Sequence, residues 1–77
     1  MQLINKTLTE KQKTFSQMYV ENHYGNSTLT NTQVAMKAGY SHDSAYQRAY
    51  ELLNPRICPH VVKYIGELKE DFRIKNN

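Results

Sequence analysis

Hydrophobic residues recur three and four positions apart along most of the chain, the spacing that places side chains on one face of an α-helix. Polar residues fill the intervening positions. The apolar positions of the four segments are, in chain order, Phe15, Met18 and Tyr19 with Leu8; Val34, Ala35 and Ala38; Ala45, Ala49, Leu52 and Leu53; and Val61, Ile65, Leu68 and Phe72. The pattern therefore predicts an all-α fold, a small bundle of four short helices.

Two of the predicted helices carry a start signal. Thr9 with Gln12, and Thr30 with Gln33, have the spacing of a capping box, in which each side chain accepts a hydrogen bond from the backbone N–H of the other residue. The second helix should accordingly begin near Asn31.

A glycine separates the second predicted helix from the third. Gly39 can adopt a left-handed conformation and so close the second helix, and Ser41 can cap the third. A short connection containing Gly is typical of a helix-turn-helix, which residues 30–53 are predicted to form. Taken by themselves, these residues leave a structural helical hairpin as an equal alternative.

The fourth helix is predicted from a proline and an apolar stripe. The residue before Pro55 is disfavoured in a helix, so the third helix should end there. Pro59 cannot donate a hydrogen bond from its backbone nitrogen and suits a helix start, which leaves residues 54–58 as an extra turn. We expect Ile65 and Leu68 to be buried against the helix-turn-helix. Gly66, inside this helix, should cost about 0.5–1 kcal/mol relative to Ala.

The segment from Gln33 to Ser41, QVAMKAGYS, resembles the signature of bacteriophage terminase small subunits. In that family a Gln, alternating small residues, a basic residue and Ala-Gly-Tyr-Ser recur in this order. The similarity continues on both sides, over about residues 8–68. Its further positions are Leu8, Thr9, Glu10, Lys11, Gln12, Lys13, Phe15 and Tyr19 before the segment, and Ser44, Ala45, Tyr46, Leu52, Leu53, Pro59, Val61, Tyr64, Ile65, Glu67 and Leu68 after it.

The resemblance implies a non-catalytic DNA-binding domain that recognises viral DNA for packaging in the host cytoplasm. Its implied partners are double-stranded DNA and the terminase large subunit. Family members generally continue into a helical region that builds a ring and a tail that meets the large subunit, so we expect either a shortened chain or an unusually short member. A homo-oligomer is expected for the full-length form, and a monomer or weak oligomer for this chain.

Composition narrows the possible functions. The 77 residues allow one domain, assigned to residues 8–77 after a flexible arm at residues 1–7. No apolar run reaches the length of a membrane span, and no signal-peptide core is present, so we expect an intracellular protein without membrane contact. Cys58 is the only cysteine and the three histidines are scattered, so neither a disulfide, a metal site, a cofactor nor a catalytic group is predicted.

The formal net charge of +3 permits binding to nucleic acid without arguing strongly for it. If the third helix lies in the major groove, Gln47 is the best base reader, because its amide presents a donor and an acceptor. Arg48 is a backbone contact unless it pairs with Glu51, three residues away. The remaining candidate DNA-binding residues are Ser41, His42 and Asp43 at the expected helix start, Tyr46 and Tyr50 on the third helix, and Lys37, Lys11 and Lys13.

Asp43 has two interpretations of equal weight, an acceptor for cytosine or a residue that supports the helix start.

Two other functions of the protein are also compatible with the sequence. One is a helix-turn-helix transcriptional regulator, which needs a dimer to match a palindromic site. The other is a helical protein-interaction module in which the apolar stripe of the fourth helix docks a partner helix without DNA.

Overall fold

A computed structural model describes residues 8–25 and 28–75. Within these residues the chain forms four α-helices and no strand: α1 (Glu10–Tyr24), α2 (Asn31–Lys37), α3 (Ala45–Leu52) and α4 (Pro59–Lys75). The predicted all-α fold is therefore confirmed, as is the start of the fourth helix at Pro59. The predicted arm at residues 1–7 lies outside the described residues.

Both predicted capping boxes are present. The Thr9 hydroxyl accepts from the Gln12 N–H at 3.1 Å, and the Gln12 side chain accepts from the Thr9 N–H at 3.0 Å. The same two bonds join Thr30 and Gln33 at 3.1 Å and 2.8 Å. These bonds satisfy backbone donors that a helix start otherwise leaves unpaired, so α1 and α2 begin where the sequence predicts.

The end of α2 depends on Gly39. This residue has a φ of 111°, and it is the one residue with positive φ in the described part of the chain. The Gly39 N–H donates to the Met36 carbonyl at 3.0 Å, and the Tyr40 N–H donates to the Ala35 carbonyl at 3.1 Å. These two bonds form a Schellman motif, in which a left-handed residue closes the helix. The predicted role of Gly39 is confirmed.

The prediction that Ser41 caps α3 is wrong. A turn occupies residues 42–44, and α3 begins only at Ala45. The Ser41 carbonyl accepts from the Ser44 N–H at 3.1 Å, and the two hydroxyl oxygens lie 2.8 Å apart. The Ser41 side chain is thus engaged with another side chain rather than with a helix N–H, and Ser44 makes no side-chain cap either.

The helices pack in two pairs, α1 with α4 and α2 with α3, and α1 also contacts α2. The main neighbour of α4 is thus α1 rather than the predicted helix-turn-helix. The stripe itself is confirmed, since Val61 and Ile65 are buried, and Leu68 and Phe72 pack against the core. At 15 and 17 residues, α1 and α4 are the longest helices in the described part of the chain.

Polar side chains join the elements beside this core. Ser16 is fully buried, and its hydroxyl donates to the Gln12 carbonyl of the preceding turn at 2.7 Å. The Asn22 side chain donates to the Leu29 carbonyl at 3.0 Å and accepts from the Leu29 N–H at 3.2 Å. This pair of bonds ties the last part of α1 to the segment that leads into α2, which fixes the α2–α3 pair against α1.

Candidate nucleic-acid interface

The α3 helix has a buried face and an exposed face. Ala45, Ala49 and Leu52 are between 0% and 4% exposed and form the buried face. Tyr46 and Tyr50 are 75% and 59% exposed, although large aromatic side chains are usually well covered. Gln47 is exposed as well. Three of the four apolar positions predicted for this helix, Ala45, Ala49 and Leu52, are therefore confirmed as buried, whereas Leu53 is only partly buried. The outer surface of α3 is available for a ligand.

Glu51 links two of the candidate DNA-binding residues. Its carboxylate accepts a hydrogen bond from the Gln47 amide at 3.1 Å through Oε2, and it forms a salt bridge with Arg48 through Oε1. The pairing of Arg48 with Glu51 was one of the two predicted alternatives for this arginine, and it is confirmed. The bond from Gln47 was not predicted, although a spacing of four residues is the normal signal for such a contact on a helix.

An uncharged groove lies beside the exposed tyrosines. It has a volume of about 420 Å³. The start of α2 forms one side of it, and α3 with the segment that follows α3 forms the other side. Its lining residues are Asn31, Thr32, Tyr46, Ala49, Tyr50, Leu53, Asn54 and Pro55. The side chains offer hydroxyl and amide groups without formal charge, a combination suited to hydrogen bonding with a neutral or anionic ligand. Asn31 and Thr32 were not among the predicted site residues, because the groove joins residues that are distant in sequence.

The opposite flank of α3 carries charges of both signs. A groove of about 520 Å³ there is lined by Thr9, Glu10, Lys11, Gln12, Tyr40, Arg48, Glu51, Leu52 and Cys58. Tyr40 is half-buried in this region, and burial, reinforced by the nearby Cys58, raises the pKa of its hydroxyl above the ordinary value. The Tyr40 hydroxyl is thus neutral at physiological pH and can act here as a hydrogen-bonding group.

The three candidate lysines lie in different surroundings. The Lys11 stem passes close to Gly39, and its ammonium lies 5.4 Å from the centre of the Tyr40 ring, so this lysine of α1 reaches the α2–α3 turn. Lys37 is exposed at the end of α2. Lys13 follows Lys11 by two residues, which is about 200° around a helix, so the two do not share a face.

The turn residues occupy a different position from the one predicted. Ser41, His42 and Asp43 were placed at the start of the third helix, where backbone N–H groups favour an anion. They instead precede α3, which begins at Ala45, so this helix-start argument does not apply to them. His42 Nδ1 and Asp43 Oδ1 lie 3.8 Å apart, and both side chains are almost completely exposed. All three remain on the surface beside the α2–α3 connection.

Within the described residues there is neither a cluster of metal ligands nor a membrane-spanning helix. No three of their His, Cys, Asp and Glu side chains lie close enough together to bind a metal ion. None of the helices in residues 8–25 and 28–75 combines the length and the apolar character needed to cross a bilayer.

The geometry defines a small all-helical domain. Its short helix α3 is packed on its inner face and presents polar and aromatic groups on its outer face. The model of the terminase small subunit family matches residues 8–76, nearly the whole chain. The chain belongs to the terminase small subunit family. This membership supports a role in phage genome packaging and a general association with DNA and the terminase large subunit. Comparison with curated proteins and with solved structures gave no significant match.

Proposed function

We propose that this chain binds double-stranded DNA during phage genome packaging and that it has no catalytic role. In this proposal α2, the turn and α3 act as a helix-turn-helix, and the exposed face of α3 enters the major groove. The α2 helix lies across the DNA backbone. Gln47 then faces the base edges, where its amide can read adenine.

The observation that carries the proposal is the asymmetry of α3. Its inner face is made of small and aliphatic side chains packed against α2, so the helix is held without using Tyr46, Gln47 or Tyr50. A rigid helix with a free polar face is what direct reading of a base sequence requires. A purely structural helical hairpin gives no reason for two tyrosines to be so exposed.

Contacts to the DNA backbone are proposed on both sides of this helix. Tyr46 and Tyr50 can donate hydrogen bonds to phosphate, together with Asn31 and Thr32 across the uncharged groove. Lys37 is the best candidate for an ionic contact, because it is exposed next to the α2–α3 turn. The further proposed contacts are Lys11, Lys13, Ser41, His42 and Asp43, with Asp43 either accepting from cytosine or supporting the turn.

The packing of α4 argues against the protein-interaction alternative. That alternative needs an apolar stripe open to a partner helix, but Val61 is fully buried, Ile65 is 5% exposed, and the Phe72 ring stacks on Tyr24 of α1 at 5.3 Å. Family membership favours packaging over transcriptional regulation. Binding to the large subunit and self-association are proposed from family membership only.

The test compares Gln47→Ala with Lys37→Ala, after selection of a preferred sequence from a random DNA pool. Gln47→Ala should weaken binding to the preferred site by about 1–3 kcal/mol and leave binding to random DNA almost unchanged. Lys37→Ala should weaken binding to both DNAs and flatten the slope of log affinity against log salt by about 0.9, the effect of one lost phosphate contact.

Lys63→Ala is the matched control, since Lys63 is an exposed lysine of α4 and its removal changes the net charge by the same amount. It should leave the salt slope nearly unchanged. Equal losses for Gln47→Ala on preferred and random DNA would remove base reading by α3 from the proposal. Equal salt effects for Lys37→Ala and Lys63→Ala would leave only a general attraction between charges.

A further inference from the structure

A carboxylate on the proposed DNA-facing helix needs an explanation. DNA is a dense array of negative charge, so an acidic side chain beside it repels phosphate. Glu51 nevertheless lies on α3, one turn after Gln47, and its side chain is 26% exposed. A simple electrostatic binder gains nothing from this residue.

The contacts of Glu51 suggest what it does. One carboxylate oxygen accepts from the Gln47 amide nitrogen, and the other pairs with the Arg48 guanidinium. The first bond restricts the orientation of the proposed base reader, because the amide nitrogen is directed towards Glu51 and the carbonyl oxygen is left to face the ligand. The second neutralises Arg48, whose side chain is half exposed and otherwise suited to phosphate.

We propose that Glu51 is a positioning residue that makes the DNA binding of this domain selective. It orients the Gln47 amide for base reading, and it holds Arg48 in an intramolecular pair so that this arginine does not bind phosphate regardless of sequence. This inference rests on the proposed function. A phosphate contact strengthens binding to every sequence alike, so holding Arg48 lowers the affinity for all DNA without changing the ratio, whereas orienting Gln47 strengthens binding to the preferred site only.

The test is Glu51→Gln, which keeps the size of the side chain and its ability to accept from Gln47 but removes the charge that holds Arg48. The variant should bind preferred and random DNA several-fold more tightly, and the slope of log affinity against log salt should steepen by about 0.9 as Arg48 reaches a phosphate. The ratio of preferred to random affinity should change little, because a phosphate contact strengthens both. Glu51→Ala, which also releases Gln47, should reduce that ratio.

The chain supplies a matched control in Glu70. It forms a salt bridge with Arg73 on α4, also across three residues, so Glu70→Gln changes the net charge equally and also releases an arginine, but away from α3. Glu70→Gln should leave the salt slope and the sequence preference unchanged. Glu51→Gln combined with Arg48→Gln should return the slope to the wild-type value, because the two residues act as one unit.

The outcomes separate the inference from the proposed function. Equal effects of Glu51→Gln and Glu70→Gln, or no effect of Glu51→Gln, would overturn the role of Glu51 while leaving DNA binding intact. Absence of salt-dependent DNA binding by the wild-type chain would overturn both. If a thermal melt shows that Glu51→Gln does not fold, Arg48→Gln tests whether Arg48 is held away from phosphate. An unchanged salt slope in Arg48→Gln means that Arg48 makes no phosphate contact, which supports the role of Glu51. A flatter slope means that Arg48 does contact phosphate, which overturns that role.

Discussion

The two helix pairs of this domain are built from side chains of different size. The α1–α4 pair consists of helices of 15 and 17 residues whose buried residues include Phe15, Val61 and Ile65. The α2–α3 pair consists of helices of 7 and 8 residues, and three alanines are among its buried residues. Large side chains bury more apolar area per residue, whereas small ones let two helix backbones approach closely. The first pair therefore supplies stability and the second supplies a close, rigid arrangement.

This difference explains why the surface proposed to bind DNA lies on the weaker pair. Isolated helices shorter than about 12 residues are marginal in water, so neither α2 nor α3 is expected to be stable alone. They are held by the capping box of α2, the Schellman turn at Gly39 and the contact of α2 with α1. Because these interactions lie at the helix ends and on the inner faces, they leave the outer side chains of α3 exposed.

The largest expected effect comes from removing the central side chain of the first pair. Phe15 is fully buried and stacks on Tyr19 with 6.0 Å between the ring centres. Phe15→Ala removes most of a buried ring and leaves a cavity, so the free energy of unfolding should fall by about 3–5 kcal/mol. Urea denaturation measures this value, and in so small a domain much of the protein should then be unfolded at room temperature.

Ile74→Ala is the control for the first pair, because Ile74 is an apolar residue of α4 that is 61% exposed. Its free energy of unfolding should change by no more than about 0.5 kcal/mol. Similar losses in the two variants would mean that the domain does not depend on the buried ring of α1, and the division of roles between the helix pairs would be wrong.

A smaller loss is expected at the turn of the second pair. Gly39 has a φ of 111°, a conformation that residues with a Cβ rarely adopt. Gly39→Val should therefore destabilise the domain by about 1–3 kcal/mol. Gly66→Val is the matched control, since it makes the same change within a helix at a position with no neighbouring atom within 4 Å of the added Cβ. Equal melting temperatures for the two variants would show that the turn does not require a glycine.

Local sequence patterns predicted the elements of this fold well. Both capping boxes, the closure at Gly39 and the start of α4 at Pro59 depend on residues within a few positions of each other, so their chemistry is visible in the sequence. The cap proposed for α3 failed for a local reason as well. Ser41 has a competing hydroxyl partner in Ser44, and the intervening turn delays the helix by three residues beyond the expected cap.

Contacts between distant residues were not predictable in the same way. The apolar stripe of α4 was recognised, but the sequence does not say which helix covers it, and the contact with α1 brings Gln17 within 3.2 Å of Tyr64. The uncharged groove was missed for the same reason, because Asn31 and Tyr50 lie on different helices. The Glu51 contact to Gln47, by comparison, was within reach of a spacing argument, because the two residues are one helical turn apart.

The smallest expected effect is a gain in stability at Gly66. Glycine inside a helix loses more backbone freedom on folding than alanine does, and no atom lies within 4 Å of a Cβ added at this position. Gly66→Ala should therefore raise the free energy of unfolding by about 0.5–1 kcal/mol, or the melting temperature by about 4–8 °C per kcal/mol in a domain of this size. The denaturant slope should stay the same, since the buried surface does not change. A loss of stability would show that α4 is not a regular exposed helix at Gly66, and the α1–α4 pair would then need a different account.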